Sequence, residues 1–235
     1  MITANYRFAG KIVEVRSLHN EVHRYCKDYL TEEPSDFVAE TCQDDIEYER
    51  SRSEYNTSDD AYLEELAVYR KISEKMPEYG TVLYHGSVIA VDGSAYMFTA
   101  PSGTGKSTHT SLWRKLLGDR AVMVNDDKPL LHIGEVVTAY GTPYNGKHRL
   151  SEDIAVPLKA ICILERSVEN HIEQISKDEA YPMLLQGVYR PNDVAALQKT
   201  LELVDRLKNS VTFYRLGCNM DISAAELSYS VMSRV

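Results

Sequence analysis

The chain has 235 residues, 26 basic and 35 acidic side chains and a formal net charge of −9, with 43% hydrophobic and 26% charged residues. That length buries a core without disulfide or metal staples, and the acidic balance argues against non-specific nucleic-acid binding, which needs a basic excess to displace counterions. No apolar run reaches the length of a membrane span, and the first residues lack the basic-then-apolar pattern of a signal peptide. The four cysteines, Cys26, Cys42, Cys162 and Cys218, form no C-x-x-C pair. They read as reduced thiols of a cytoplasmic protein rather than as a zinc or disulfide framework.

Residues 6–16 alternate loosely and predict one or two strands bent at Gly10. Residues 34–60 are polar and acidic, with a short strand near Phe37–Thr41 and loop composition from Ser51 to Asp60. A helix follows, capped by Asp60, with Leu63, Leu66, Ala67, Tyr69 and Ile72 as its apolar stripe and Pro77 and Gly80 beyond its end. The pattern then changes. Residues 81–100 predict two strands around a turn at Asp92-Gly93, and a helix begins at Ser107. Ala121–Asn125 is a short buried strand, and residues 129–141 form a hairpin turning at Gly134-Glu135.

Ala160–Glu165 and Val211–Leu216 are further strands. Between them, Asp193–Lys208 carries Val194, Leu197, Leu201, Val204 and Leu207 at helical spacing, a core stripe. Asp221–Met232 is a last helix, with Ser223 and Glu226 at capping-box spacing. Strands and helices interleave, so the class is α/β. No internal repeat or low-complexity tract is present.

The chemistry-bearing features cluster in the middle of the chain. Ala100-Pro-Ser-Gly-Thr-Gly-Lys-Ser107-Thr108 follows an apolar strand and opens a helix, the context a phosphate-binding P-loop needs. Gly103 and Gly105 let backbone N–H groups curl around phosphate oxygens, and the helix start adds its dipole. Lys106 reaches the β- and γ-phosphates and Ser107 ligates Mg²⁺. Ala100 stands where the pattern has its first glycine. Asp126 and Asp127 end an apolar strand and can divide the work between metal and proton. His85 lies on the strand ahead of the loop, where it can approach the acids and polarise one of them. Gly141–Arg149 is a tight loop with Lys147, His148 and Arg149, able to bring a cation to a transferring phosphate. Gln186 and Arg190 flank a helix end before Pro191, where Arg190 meets either phosphate or a structural acid.

His85-Gly86, then Ser102–Thr108, then Asp126-Asp127, in that order, resemble the HPr kinase/phosphorylase and phosphoenolpyruvate carboxykinase P-loop superfamily. Over the whole chain the resemblance is to small HPr-kinase-like proteins, some of which phosphorylate a serine of a precursor peptide. It implies an α/β kinase core over residues 81–235, a mixed sheet flanked by helices, behind a small α/β extension over residues 1–80. By the resemblance, Ser102, Gly103, Thr104, Gly105, Lys106, Ser107 and Thr108 hold the phosphates of ATP, and Ser107 and Asp127 hold Mg²⁺. Asp126 is then the general base, supported by His85. Thr108 stands where HPr kinases carry an acid, and their later signature is missing, so phosphorylase activity on HPr is not implied. No oxaloacetate site is recognisable.

The expected function is transfer of the γ-phosphoryl group of ATP to a hydroxyl of a peptide or protein serine, with Lys106, a cation such as Lys147 or Arg190, Mg²⁺ and Asp126 acting together. The expected partner is a hydroxyl acceptor, with neither nucleic acid nor membrane; the oligomeric state is left open. A small-molecule alcohol is the alternative acceptor. A non-catalytic ATP-binding regulator is a second class, disfavoured because mere binding needs no base. A signalling or motor NTPase is a third, for which no water-positioning group is visible.

Overall fold

Short strands with apolar alternation, separated by helices with an apolar stripe, bury both patterns only by stacking helices on sheets. The computed structural model describes residues 1–52, 59–146 and 148–234 and has that mixed α/β organisation. The chain divides into two compact units, Met1–Met76 and Pro77–Val235. The division falls ahead of residue 80, the boundary drawn from sequence.

The first unit runs β1 (Ile2–Phe8), β2 (Lys11–Ser17), α1 (Glu21–Tyr25), β3 (Leu30–Thr31), β4 (Phe37–Glu40), α2 (Gln43–Arg52) and α3 (Asp60–Lys75). Its sheet has the order β3-β1-β2-β4, with β1 and β2 antiparallel and β4 parallel to β2. Helix α2 lies in the acidic stretch that showed no helical periodicity. It buries only Ile46 and is tied to α3 by Arg70, which pairs with Asp45 at 3.0 Å and Glu49 at 2.6 Å. Residues 53–58, most of the expected Ser51–Asp60 loop, lie outside the described residues, and Ser51 and Arg52 belong to α2. The cap of α3 is Asp59, not Asp60: its carboxylate accepts from the Tyr62 N–H at 3.2 Å, one residue earlier than the sequence suggested.

Glu64 on α3 is fully buried. Its carboxylate accepts from the backbone N–H groups of Leu18 and His19 at 2.7 and 2.8 Å and from Thr41 Oγ1 at 2.6 Å, with His19 Nδ1 at 2.8 Å. Burial pushes this carboxyl's pKa up, but the donors around it outweigh burial and hold it below the usual range.

The second unit runs β5 (Thr81–Leu83), β6 (Ser87–Val91), β7 (Ser94–Thr99), α4 (Lys106–Leu117), β8 (Ala121–Asn125), β9 (Leu130–Ile133) and β10 (Val137–Tyr140). It continues with β11 (Ala155–Arg166), β12 (His171–Ile175), α5 (Lys177–Gly187), α6 (Val194–Lys208), β13 (Thr212–Cys218) and α7 (Ile222–Met232). Nine strands form one mixed sheet with the path β5-β9-β10-β11-β7-β6-β8, and β13 pairs with both β11 and β12. The long β11 joins the two halves: its start pairs with β10, and its remainder lies parallel to β7 and β13. Strand β6 is antiparallel to both β7 and β8, so the strands that flank it point the same way.

Alternation sorts the side chains to two faces. Val88, Met97, Ile161 and Phe213 pack with Leu184, Leu203, Val204 and Leu207 of α5 and α6. Ile89, Phe98, Cys162 and Tyr214 pack with Trp113 of α4 and Ala225 and Met232 of α7. On α6 the buried face is Ala196, Thr200, Leu203, Val204 and Leu207, so the expected stripe is rotated: Val194 is 79% exposed and Leu201 38%. On α7 the cap is Asp221, which accepts from the Ser223 N–H at 2.9 Å, rather than Ser223 with Glu226. A capping box is instead formed by Ser176 and Glu179 at the start of α5.

The segment expected as a single strand ahead of Asp92-Gly93 is broken into β5 and β6. At the break, Tyr84, His85 and Gly86 donate to the carbonyls of Pro129, Gly187 and Asp127 at 3.1, 2.8 and 3.0 Å. Residues 150–154 close the far edge of β8: Asp126 N–H donates to Leu150 O, Glu152 N–H to Val124 O and Gly141 N–H to Ile154 O. Gly141 sits where this segment crosses β8, and a Cβ there would lie 1.7 Å from Glu152 O and 2.7 Å from Val124 O.

Two outcomes test these packings. Gly141→Ala is expected to lower unfolding free energy by about 3 kcal/mol through overpacking, read as a lower urea midpoint. A midpoint equal to wild type contradicts the close approach. The depressed Glu64 pKa stabilises the first unit above the unfolded carboxyl value of 4.5 and ceases to do so as pH falls through the lower folded value. Glu64→Gln therefore makes the loss of stability between pH 7 and pH 3 shallower than in wild type, measured by urea denaturation at both values.

Candidate active site

The loop between β7 and α4 brings Gly103 to φ +76° and Gly105 to φ +124°, a left-handed conformation that favours glycine. Helix α4 then starts at Lys106 with no side-chain cap and no acid in its first turn. The first N–H bonded back to the loop is that of His109, to Gly105 O at 2.9 Å. The N–H groups of Lys106, Ser107 and Thr108 thus face out of the helix start, where an anion is favoured. Ser102, Gly103 and Thr108 are exposed and Thr104, Gly105 and Ser107 half-buried. Lys106 is buried, its Nζ donating to Ala100 O at 3.0 Å. Burial lowers its pKa and the charge of Asp127 opposes that shift.

Strand β8 ends in Asn125, a residue the sequence reading passed over. Its amide is fully buried and fully used: Nδ2 donates to Thr142 O, Thr142 Oγ1 and Tyr144 O at 3.0 to 3.3 Å. Its Oδ1 accepts from the N–H groups of Asp127 at 2.9 Å and Lys128 at 2.7 Å. The turn held this way sends the two aspartates into different surroundings.

Asp126 is 3% exposed. Its Oδ1 accepts from Gly146 N–H at 2.6 Å, and its buried Oδ2 has no partner among the described residues. Burial raises its pKa, the Gly146 N–H opposes, Asp127 raises it further and His148 lowers it, with a net rise. Asp127 is half-buried, with Oδ1 3.3 Å from His85 Nε2. Burial raises its pKa, but the His85 hydrogen bond and the charges of Lys128, His85 and Lys106 outweigh it and the carboxyl is held low.

His85 therefore meets Asp127, not Asp126 as expected. The reason is local: adjacent residues of a turn point apart, and Gly86 N–H, on the residue after His85, is bonded to Asp127 O. Lys147 lies outside the described residues; its neighbours His148 and Arg149 are exposed. Arg190 is exposed, and no hydrogen bond or ion pair joins it to the aspartates among the described residues. Backbone pairing sets Gly187 beside His85 and Tyr189 beside Leu83, which carries Arg190 further from His85. Gln186 is also exposed. A second residue missed in sequence is Arg166, at the end of β11, whose Nη2 donates to Gly103 O at 2.6 Å. Its only sequence signal was a basic residue closing an apolar strand.

Among the described residues no three His, Cys, Asp or Glu side chains converge as a metal site. Among the described residues no helix is long and apolar enough to cross a membrane.

The fold and this loop define a mixed α/β protein with an anion-favouring helix start and two adjacent aspartates, of which Asp127 is braced by His85. The sequence matches the family described as SynChlorMet cassette protein ScmC over residues 54–220, and the chain belongs to that family. No curated protein matches it. Among solved structures it is similar to the Hpr(Ser) kinase/phosphatase from Coxiella burnetii, at 13% identity over 54% of this chain and 97% of that one, with a TM-score of 0.29.

The two carboxyls are expected to titrate apart. As pH falls from neutrality Asp126 protonates first and Asp127 last, followed by carboxyl ¹³C shifts. His85→Ala should raise the Asp127 pKa and narrow the gap. Simultaneous titration in the wild-type protein contradicts the arrangement.

Proposed function

We propose that the protein is a kinase that transfers the γ-phosphoryl group of ATP to a hydroxyl, a serine of a peptide or protein being the favoured acceptor. The observation that carries this reading is that Asp127, hydrogen-bonded to His85, lies within electrostatic reach of Lys106 at an uncapped helix start. Phosphate binding alone needs the lysine and the free N–H groups. A histidine-braced carboxylate beside them supplies what attack by a hydroxyl also requires.

The roles of the aspartates follow from their surroundings, by the rule that paired groups pushed apart in pKa take different tasks. Asp127 stays ionised, is oriented by His85 and accepts the acceptor's proton. Asp126 has an unpartnered buried oxygen and a raised pKa, the condition a divalent cation relieves. Asp126 and the Ser107 hydroxyl therefore suit Mg²⁺, which protein sites hold through one or two carboxylates together with substrate phosphates. Once bound, the ion would neutralise charge on the phosphate oxygens. This exchanges the duties that the resemblance implied for the two residues. Ser102–Thr108 cradle the phosphates and Lys106 pairs with the β- and γ-oxygens. Lys147 and Arg190 are the further cations this reading offers to the transferring group.

Lys106→Ala should weaken Mg-ATP binding and abolish transfer. Asp127→Asn should leave Mg-ATP affinity nearly intact and cut turnover by about 10²–10⁴-fold, as loss of a base does. Asp126→Asn should raise the Mg²⁺ requirement. Calorimetry and ADP release, with and without the other products of the cassette as acceptors, measure all three. Unchanged Mg-ATP affinity in Lys106→Ala overturns the reading, as does steady ADP release that no acceptor accelerates.

A further inference from the structure

A cleft of about 490 Å³ opens beside the Gly103–Gly105 loop. One wall is α4, with Thr108, the buried His109 and Leu112; the other is the exit of β13, with Cys218 and Met220, and Arg166 stands at the loop end. The cleft lies beyond the carboxyl ends of the parallel strands β7, β11 and β13, where open α/β sheets bind ligands. We infer that this cleft holds the heteroaromatic base of the nucleotide, between Leu112 and Met220, with Arg166 facing the phosphate side. The inference rests on the kinase reading and deepens it, since that reading places only the phosphates.

The charge along the cleft carries the argument. Arg166 is its one cationic side chain and touches the phosphate loop itself, through Gly103 O. Away from the loop the walls are neutral. His109 is held neutral by burial, its pKa lowered to about 4, and Cys218 is kept a thiol by burial. Leu112 is half-buried, and Met220 is 80% exposed although it lines the cleft, a soft, unbranched side chain free to lie on a flat ring. The Asn219 side chain is held in place by Val168 O and the Asp221 N–H. A ligand with an anionic end and an uncharged planar end fits this gradient. Recognition of the base is then by apolar contact, and the phosphate end sets the register.

The test compares Mg-ATP with Mg-tripolyphosphate, which carries the phosphates without base or sugar, by calorimetry on the full chain. Wild type should bind ATP more tightly than tripolyphosphate. Met220→Ala combined with Leu112→Ala should weaken ATP by about tenfold and leave tripolyphosphate within about twofold, which also shows that the variant is folded. Met220→Ala alone, at an exposed position, should give a smaller loss in the same direction. Unchanged ATP affinity in both variants, or equal loss for both ligands, overturns the base assignment while leaving the phosphate loop standing. Equal wild-type affinity for the two ligands does the same. Failure of wild type to bind either ligand overturns the kinase reading and this inference with it.

Discussion

One buried amide organises the second unit's site. Asn125 has no contact with solvent and spends both ends of its side chain on backbone, the 142–144 loop on one side and the turn after β8 on the other. A buried amide left half-satisfied costs of the order of 1–3 kcal/mol per lost partner, so the two loops are held jointly or not at all. The position of Asp127 relative to His85, and of Asp126 relative to Gly146, both descend from this clamp. A strand that ended in a small apolar residue would leave the aspartate turn and the 142–144 loop without this shared clamp.

The second organising element is the mixed sheet. Its parallel strands β7, β11 and β13 deliver their carboxyl ends to one edge, where the glycine loop, Arg166 and the β13 exit all gather. The opposite faces are filled by different helix pairs, α5 with α6 and α4 with α7. Trp113 and His109 of α4 share Ser228 of α7 as a hydrogen-bond partner, at 2.8 and 3.0 Å. The helix that presents Lys106 is thereby anchored by its buried face, and its first turn keeps its N–H groups for other uses.

How much of this is legible in the sequence depends on whether the cause is local. The hairpin at Asp92-Gly93 is legible, because two successive positive φ angles in a two-residue loop suit that dipeptide. Strand β8 is legible from its apolar run, and helix α4 from the glycine loop that opens it. Helix α2 is not, since one isoleucine and a set of ion pairs to Arg70 leave no periodic apolar signal. Capping is legible in kind but not in place: Ser223 and Glu226 have the right spacing, yet Asp221 reaches the free N–H first. The break at Tyr84–Gly86 depends on carbonyls at positions 127, 129 and 187, which no window around residue 85 contains. The choice between Asp126 and Asp127 for His85 depends on the turn that Asn125 imposes, and spacing cannot distinguish neighbours in a turn.

The antiparallel insertion of β6 between β7 and β8 has a consequence for how such a protein can be altered. In a sheet of parallel strands only carboxyl ends arrive at this edge; here β6 contributes its beginning, and the imidazole comes with it. The histidine is thus carried by the lead-in to a different strand from either the glycine loop or the aspartates, and its place is set by the carbonyls of Asp127, Pro129 and Gly187. A change at Pro129 or Gly187 would therefore shift the imidazole while leaving the glycine loop and Lys106 where they are. The imidazole contact and the glycine loop are therefore separately adjustable in this architecture.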